Sequence, residues 1–206
     1  MHVLDPIQLG NEPITRDHVL NAVRWADADA GPALLLMAWR SGRLDTETLA
    51  RLIPTIWCRA SCPQNRIPPR EWRAMFTATG YRSGGQPASP PTSIRLYRGS
   101  PYVERQRWAW TPNPLYAMFY AAQRLGCAPH RKPGQVWVID APAASLLAHV
   151  DRVDPGEYLV DTKGLAIGCH LNRHQLLAEL PSDLRERLWP GMVANVMRLI
   201  AERNNP

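Results

Sequence analysis

Three residues in the second half of the chain have types and neighbours suited to one piece of chemistry: Arg98 before Gly99, Thr111 before Pro112, and Glu157 after Gly156. A guanidinium is a planar, permanently charged fork that matches phosphate oxygens two at a time. A glycine beside it lets the chain turn sharply and lets a ligand approach the backbone. A hydroxyl at a helix start sits among free N–H groups at the positive end of the helix dipole, where anions bind. A fixed carboxylate stabilises positive charge developing on a sugar and can hydrogen-bond its hydroxyl. Together these groups suit a dinucleotide whose glycosidic bond breaks through an oxocarbenium-like state.

The elements that must position them begin where the apolar period changes, near residue 94. Ile94 and Leu96 alternate with Arg95 and Tyr97, and Val136 and Val138 with Trp137 and Ile139; Glu157 to Val160 gives a third strand. Between the first two, the spacing predicts a helix capped by Thr111, with Pro112 in its first turn and Leu115, Met118, Phe119 and Ala122 on one face. Trp108 and Trp110, two apart on a short aromatic strand, face one side, so one can wall a pocket while the other packs. Tyr97 and Phe119 are candidates for stacking on a flat ring. Leu184 and Leu188, then Val193, Val196, Met197 and Ile200, predict terminal helices.

The first half is helical in pattern. Thr15 caps a helix with Val19, Leu20, Val23 and Ala26 on one face, Pro32 opens a second, and Gly42 closes it. Asp45 precedes Leu49, Leu52, Ile53, Ile56 and Trp57, a one-faced series that Pro54 should bend, and a fourth helix runs from Pro69 through Trp72, Met75 and Phe76 to Gly80. Residues 83–93 carry no period and no large apolar group, which predicts a linker. The expected fold is α+β, with a helical bundle over 1–82, the linker, and a strand-rich domain over 94–206.

With 206 residues, 45% hydrophobic and 20% charged, the composition excludes a disordered regulator. The longest apolar run, residues 33–39, falls well short of the ~18–20 residues that cross a membrane. The first residues carry no basic stretch leading into an apolar one, so a cytoplasmic protein with no membrane partner is expected. Net charge is +6, and only Lys132 and Lys163 are lysines, which leaves 22 arginines. That excess fits phosphate or nucleic-acid contact, but the arginines form no long cluster and are mixed with acids, which favours a GC-rich coding sequence as its source.

The order Leu96-Tyr97-Arg98-Gly99, then Trp108-Ala109-Trp110-Thr111 with Ala117-Met118-Phe119-Tyr120-Ala121, then Val136-Trp137-Val138, then Glu157-Tyr158-Leu159-Val160-Asp161, resembles the ADP-ribosyltransferase family. The likeness is to small bacterial and phage members of its arginine–serine–glutamate class and covers roughly residues 92–165. It implies a mixed sheet with flanking helices and an enzyme that takes NAD as substrate, without a metal, and passes ADP-ribose to a protein or nucleic-acid acceptor. It implies that Arg98 contacts the NAD phosphates or the nicotinamide ribose, that Trp110, Thr111 and Pro112 occupy the Ser-Thr-Ser motif shaping the nicotinamide pocket, and that Glu157 is the catalytic acid. Gly99, Tyr97 and Phe119 complete the implied site. The helical first half lies outside the likeness and is expected to position a target, inhibit the site, or bind an antitoxin or host-protein partner in a bacterial or phage-infected cytoplasm. Only the central threonine of the Ser-Thr-Ser motif matches, and Pro155 stands where the family has the glutamate or glutamine that contacts the acceptor. Asp154, one residue earlier, is the nearest acid that could take its place. Transfer, plain NAD hydrolysis, an unusual acceptor such as a nucleic-acid base, and an inactive interaction module all stay open.

Other groupings carry less. The four cysteines, Cys58, Cys62, Cys127 and Cys169, are too few and scattered for a disulfide scaffold. Cys58 and Cys62 with Cys169, His170 and His174 lack the Cys-x-x-Cys knuckle of a structural zinc, so no metal is expected. His149 and Asp151 have no nucleophile elbow, and glycine-rich dinucleotide and phosphate loops are absent.

Overall fold

The computed structural model describes residues 12–25, 27–126, 134–151 and 156–179. The chain forms two compact units: one holds the chain to Pro90 together with Leu147–Val150, the other Pro91–Leu146 and the chain from Asp151 onward. The architecture is mixed helix and sheet.

In the first unit the helix signals act where the sequence places them. α1 (Arg16–Trp25) starts where the Thr15 hydroxyl accepts the His18 N–H at 3.3 Å. α2 (Gly31–Arg40) has Pro32 in its first turn and is followed by Gly42 at φ 70°. α3 (Thr46–Arg59) begins at Asp45, whose carboxylate accepts the Thr48 N–H at 2.9 Å, and it continues through Pro54. α4 (Pro69–Thr79) stops at Gly80, φ 67°. Leu49, Leu52, Ile53, Ile56 and Trp57 are all buried, and Trp57 meets Trp72 edge-on at 5.0 Å.

The expected linker instead contains a hairpin. β1 (Arg82–Ser83) pairs antiparallel with β2 (Gln86–Pro87) across Gly84 and Gly85, both at positive φ. A Gly-Gly pair supplies the two left-handed residues that a tight hairpin turn needs, and two-residue strands leave no period to detect. Ser83 also pairs in parallel register with His149, and its hydroxyl lies 2.9 Å from the His149 Nδ1.

Hydrogen bonds from Thr48 hold the Asp45 carboxyl below the usual range, and those from Arg82 and then Arg51 do the same for Glu47. A carboxyl lowered on folding stabilises fully above its unfolded value of about 4 and loses that contribution as pH falls through the lower folded value. The melting temperature of the first unit should therefore drop as pH is taken below about 4, and Arg82→Gln should flatten that dependence.

In the second unit β3 (Ser93–Ser100) has β5 (Gln135–Pro142) as an antiparallel neighbour from Ser93↔Pro142 to Ser100↔Gln135, and β8 (Gly168–Leu171) pairs beyond β5. β4 (Ala109–Trp110) pairs antiparallel with β7 (Glu157–Val160). β6 (Leu146–Val150) lies between β5 and β7 in sequence, and α6 (Arg173–Glu179) follows β8. β6 and β8 were not anticipated, because neither has a clear alternation bounded by turn residues.

α5 (Pro114–Gly126) differs from expectation at its start and in its apolar face. Asn113, not Thr111, accepts the first free N–H, from Leu115 at 2.9 Å, so Pro114 rather than Pro112 opens the helix. Leu115 is 48% exposed, and the buried side is Ala117, Met118, Ala121 and Ala122, packed with Val136, Leu171 and Leu176. β3 does not end at Arg98 but runs through Gly99 to Ser100. A Cβ at Gly99 would lie 1.9 Å from the Ala117 carbonyl oxygen and 2.4 Å from the Ala121 nitrogen. This glycine admits a helix backbone against the strand. Ala26, Cys127, Asp154, Pro155 and the residues expected to form terminal helices, Leu184, Leu188, Val193, Val196, Met197 and Ile200, lie outside the described residues.

Candidate functional site

The site is built on one row of residues across three strands of the second unit. Tyr97 and Thr111 exchange both backbone hydrogen bonds, at 2.8 and 2.9 Å. The paired register Ala109↔Leu159 and Trp110↔Tyr158 ends at Trp110; continued by one residue it would set Thr111 opposite Glu157. Directly opposed residues share a face of a sheet. Tyr97, Thr111 and Glu157 therefore stand side by side, with Thr111 between the other two. Gly156, just before the acid, takes φ 88°, a left-handed turn that fixes where the strand and its carboxylate begin.

Thr111 is nearly buried, and its hydroxyl accepts the Asn113 N–H at 3.2 Å, holding the turn between β4 and α5. Tyr97 packs against the core under α5, and its ring lies 4.9 Å from that of His170. His170 falls in the register shift between β5 and β8, where Val136 faces Leu171 and Trp137 faces Cys169. Such a bulge re-aims a side chain, here an exposed imidazole beside Tyr97.

α5 closes the other side with a group of rings. Phe119 is half-buried against the core, 6.3 Å from Tyr116 and 6.0 Å from Tyr120. The Tyr120 phenol is pushed up to about 12, first by partial burial, then by Tyr116 and by the Glu157 carboxylate, with a Tyr116 hydrogen bond adding to it. An alkaline titration followed by phenolate absorbance should find a tyrosine still protonated until pH about 12, and Glu157→Gln should lower that value.

Arg98 and Trp110 stand one residue out of this row, and alternation along a strand turns neighbouring side chains to opposite faces. The Arg98 guanidinium is not an open fork. Its Nε donates to the Glu104 carbonyl at 3.1 Å and its Nη1 to the Ala109 carbonyl at 2.7 Å, bridging β3 to the loop before β4 and to β4 itself. The same loop is pinned by the Thr162 hydroxyl on the Gln106 carbonyl at 2.6 Å and by the Trp110 indole on the Arg107 carbonyl at 2.7 Å. Arg98→Ala should cost about 2 kcal/mol by leaving two carbonyls without a charged donor, measurable as a lower denaturation midpoint.

Both tryptophans pack inside, Trp108 at 2% and Trp110 at 1% exposure, so neither walls an open pocket. The structure thus brings together Tyr97, Thr111, Phe119 and Glu157, places Arg98 and Trp110 in the support behind them, and gives Gly99 to helix packing. Tyr116, Tyr120 and His170 were missed. The two tyrosines, four apart on a helix, were legible as a pair on one face; the bulge that aims His170 leaves no mark in the sequence.

Among the described residues no three of His, Cys, Asp and Glu converge on a point that could hold a metal, and no helix is long and apolar enough to cross a membrane. Cys58, Cys62 and Cys169 are exposed thiols. No protein-family model, curated protein or solved structure matches the chain.

Proposed function

We propose that the chain is a mono-ADP-ribosyltransferase: it takes NAD as substrate, breaks the nicotinamide–ribose bond and passes ADP-ribose to a macromolecular acceptor. The observation that carries this reading is the cross-strand row in which Thr111 separates Tyr97 from Glu157, beside the rings of α5. As nicotinamide leaves, positive charge spreads over the ribose C1′ and ring oxygen. Glu157, fixed at a strand start, stabilises that charge and takes a ribose hydroxyl. Tyr97 and Phe119 offer the flat faces against which nicotinamide is held. Thr111 keeps the acid's neighbouring strand in register. Arg98 acts from behind, as a positioning residue that ties the loop before β4 to β3.

The test is to incubate the purified chain with labelled NAD and cell lysate, following both nicotinamide release and label on macromolecules. Release with transfer supports the reading, and release alone makes the chain an NAD glycohydrolase. If wild type and Glu157→Gln are equally inert in both, the enzyme reading is lost. A second reading, an interaction module that keeps the fold without the reaction, is favoured by the engagement of Arg98 with backbone carbonyls instead of an open anion site. Calorimetry with NAD separates the two, because the module shows no saturable heat.

A further inference from the structure

Outside the row of Tyr97, Thr111 and Glu157, one pair of side chains in the first unit has the makings of a nucleophile and its base. Ser83 closes β1 and stands directly opposite His149 of β6 in parallel register. The main chain clamps the pair, because the Gly84 N–H donates to the His149 carbonyl at 3.1 Å. The side chains meet as well, with the Ser83 Oγ 2.9 Å from the His149 Nδ1. Alternation along β6 buries Ala148 and Val150 on one face and turns His149 to the other, where both it and Ser83 keep partial exposure.

The turn beyond Ser83 leaves that end open. Gly84 and Gly85 take φ 57° and 81°, and a Cβ at Gly85 would have no heavy atom of the described residues within 4 Å beyond its chain neighbours. The hairpin itself is fixed: Arg82, whose side chain is 11% exposed, donates to the Glu47 carboxylate at 2.7 Å and to the Gly85 carbonyl at 3.2 Å. The backbone bond already joins the two strands, which leaves the side-chain contact available for chemistry. A hydroxyl held against an imidazole is the arrangement that activates a serine. Here a hairpin end takes the place of the strand-to-helix elbow that the sequence lacks.

From this geometry we propose a second activity, independent of the NAD reading: Ser83 is a nucleophile, His149 is its general base, and the substrate class is a small activated carboxylic ester. In the tautomer protonated on Nε2, His149 accepts the Ser83 O–H at Nδ1. The Ser83 Oγ bonds to the acyl carbon as its proton passes to Nδ1. The ester C–O bond breaks with its electron pair going to the alcohol oxygen, which takes that proton from His149. Water then attacks the acyl-serine by the same route, releasing the acid and restoring the hydroxyl. A nucleophile and a base suffice for an ester whose leaving group departs readily, and this sets the class.

The experiment uses the full chain without NAD. The wild type is incubated with a fluorophosphonate probe, which phosphonylates activated serines, and the adduct is located by mass spectrometry of the digested protein; hydrolysis of p-nitrophenyl acetate is followed in parallel. The adduct is expected on Ser83, forming in the folded chain and not in the chain unfolded in urea, together with sustained turnover of the ester. Ser83→Ala should lose the adduct and the turnover. His149→Gln, which keeps a hydrogen-bonding side chain but no base, should slow both about a hundredfold. Circular dichroism checks that the variants are folded. No adduct on Ser83 in the wild type, an adduct that forms equally in urea, an adduct without ester turnover, or an equal rate in folded His149→Gln overturns the proposal. The urea comparison and the turnover are read on the wild type alone, so the proposal stays decidable if a variant does not fold. No step uses NAD or Glu157, so nicotinamide release bears only on the earlier reading.

Discussion

Replacing Glu157 by glutamine is expected to lower nicotinamide release by about a thousandfold while leaving the fold intact. A carboxylate about 4 Å from a full positive charge on the ribose is worth about 4 kcal/mol at an effective dielectric near 20. At about 1.4 kcal/mol per factor of ten that is about three powers of ten in rate. Glutamine keeps the size and one hydrogen-bonding oxygen but loses the charge, so the effect should appear in the rate of bond breaking more than in the affinity for NAD. Glu157 is half-buried at the start of β7, while the strand's buried apolar contacts come from Leu159 and Val160. The melting temperature should therefore change little. A large fall in both rate and stability would instead make Glu157 a structural residue.

The largest effect on stability is expected from Gly99→Ala. The added methyl would lie 1.9 Å from the Ala117 oxygen and 2.4 Å from the Ala121 nitrogen, both backbone atoms of α5 that no side-chain rotation can move. The helix must lift from β3. Gly134, at the entrance to β5, is a second point of close approach, where a Cβ would lie 2.9 Å from both the Ala121 α-carbon and its carbonyl oxygen, so the helix sits tightly on this sheet. Overpacking of this kind typically costs about 1–3 kcal/mol, and a clash with two backbone atoms of one helix belongs at or above the upper end. Urea denaturation should show a midpoint shifted down accordingly. Displacing α5 also carries Phe119, Tyr116 and Tyr120 away from Glu157, so nicotinamide release should fall in whatever fraction stays folded.

Where local chemistry decides the structure, the sequence is a good guide. Thr15, Asp45, Pro32, Gly42 and Gly80 act at the helix ends their types indicate, and the apolar series on α3 is buried throughout. The three strands around Ile94, Val136 and Glu157 are present, the first two on a period-two pattern and the third on a short run of Tyr158, Leu159 and Val160. What was missed depends on pairing over distance. Arg98 next to Gly99 has the look of a ligand site, since nothing local distinguishes a glycine that admits a ligand from one that admits a helix. Whether a guanidinium stays open depends on which carbonyls the loop of residues 101–108 brings to it, and that is set by Thr162 and Trp110. Thr111 resembles a helix cap in composition, but the bridge to Tyr97 claims its backbone first, and Asn113 does the capping. His149 and Ser83 are 66 positions apart, and only the pairing of their strands makes neighbours of them.

That pairing bears on how the protein can be taken apart. The chain leaves the second unit after Leu146, lends Leu147–Val150 to the first, and returns at Asp151. A fragment ending at residue 90 therefore lacks a strand that belongs to it, and one starting at residue 91 carries a strand whose partner has been cut away. Each half expressed alone starts with an uncovered sheet edge prone to self-association, so dissection by point substitution in the whole chain is the sounder course.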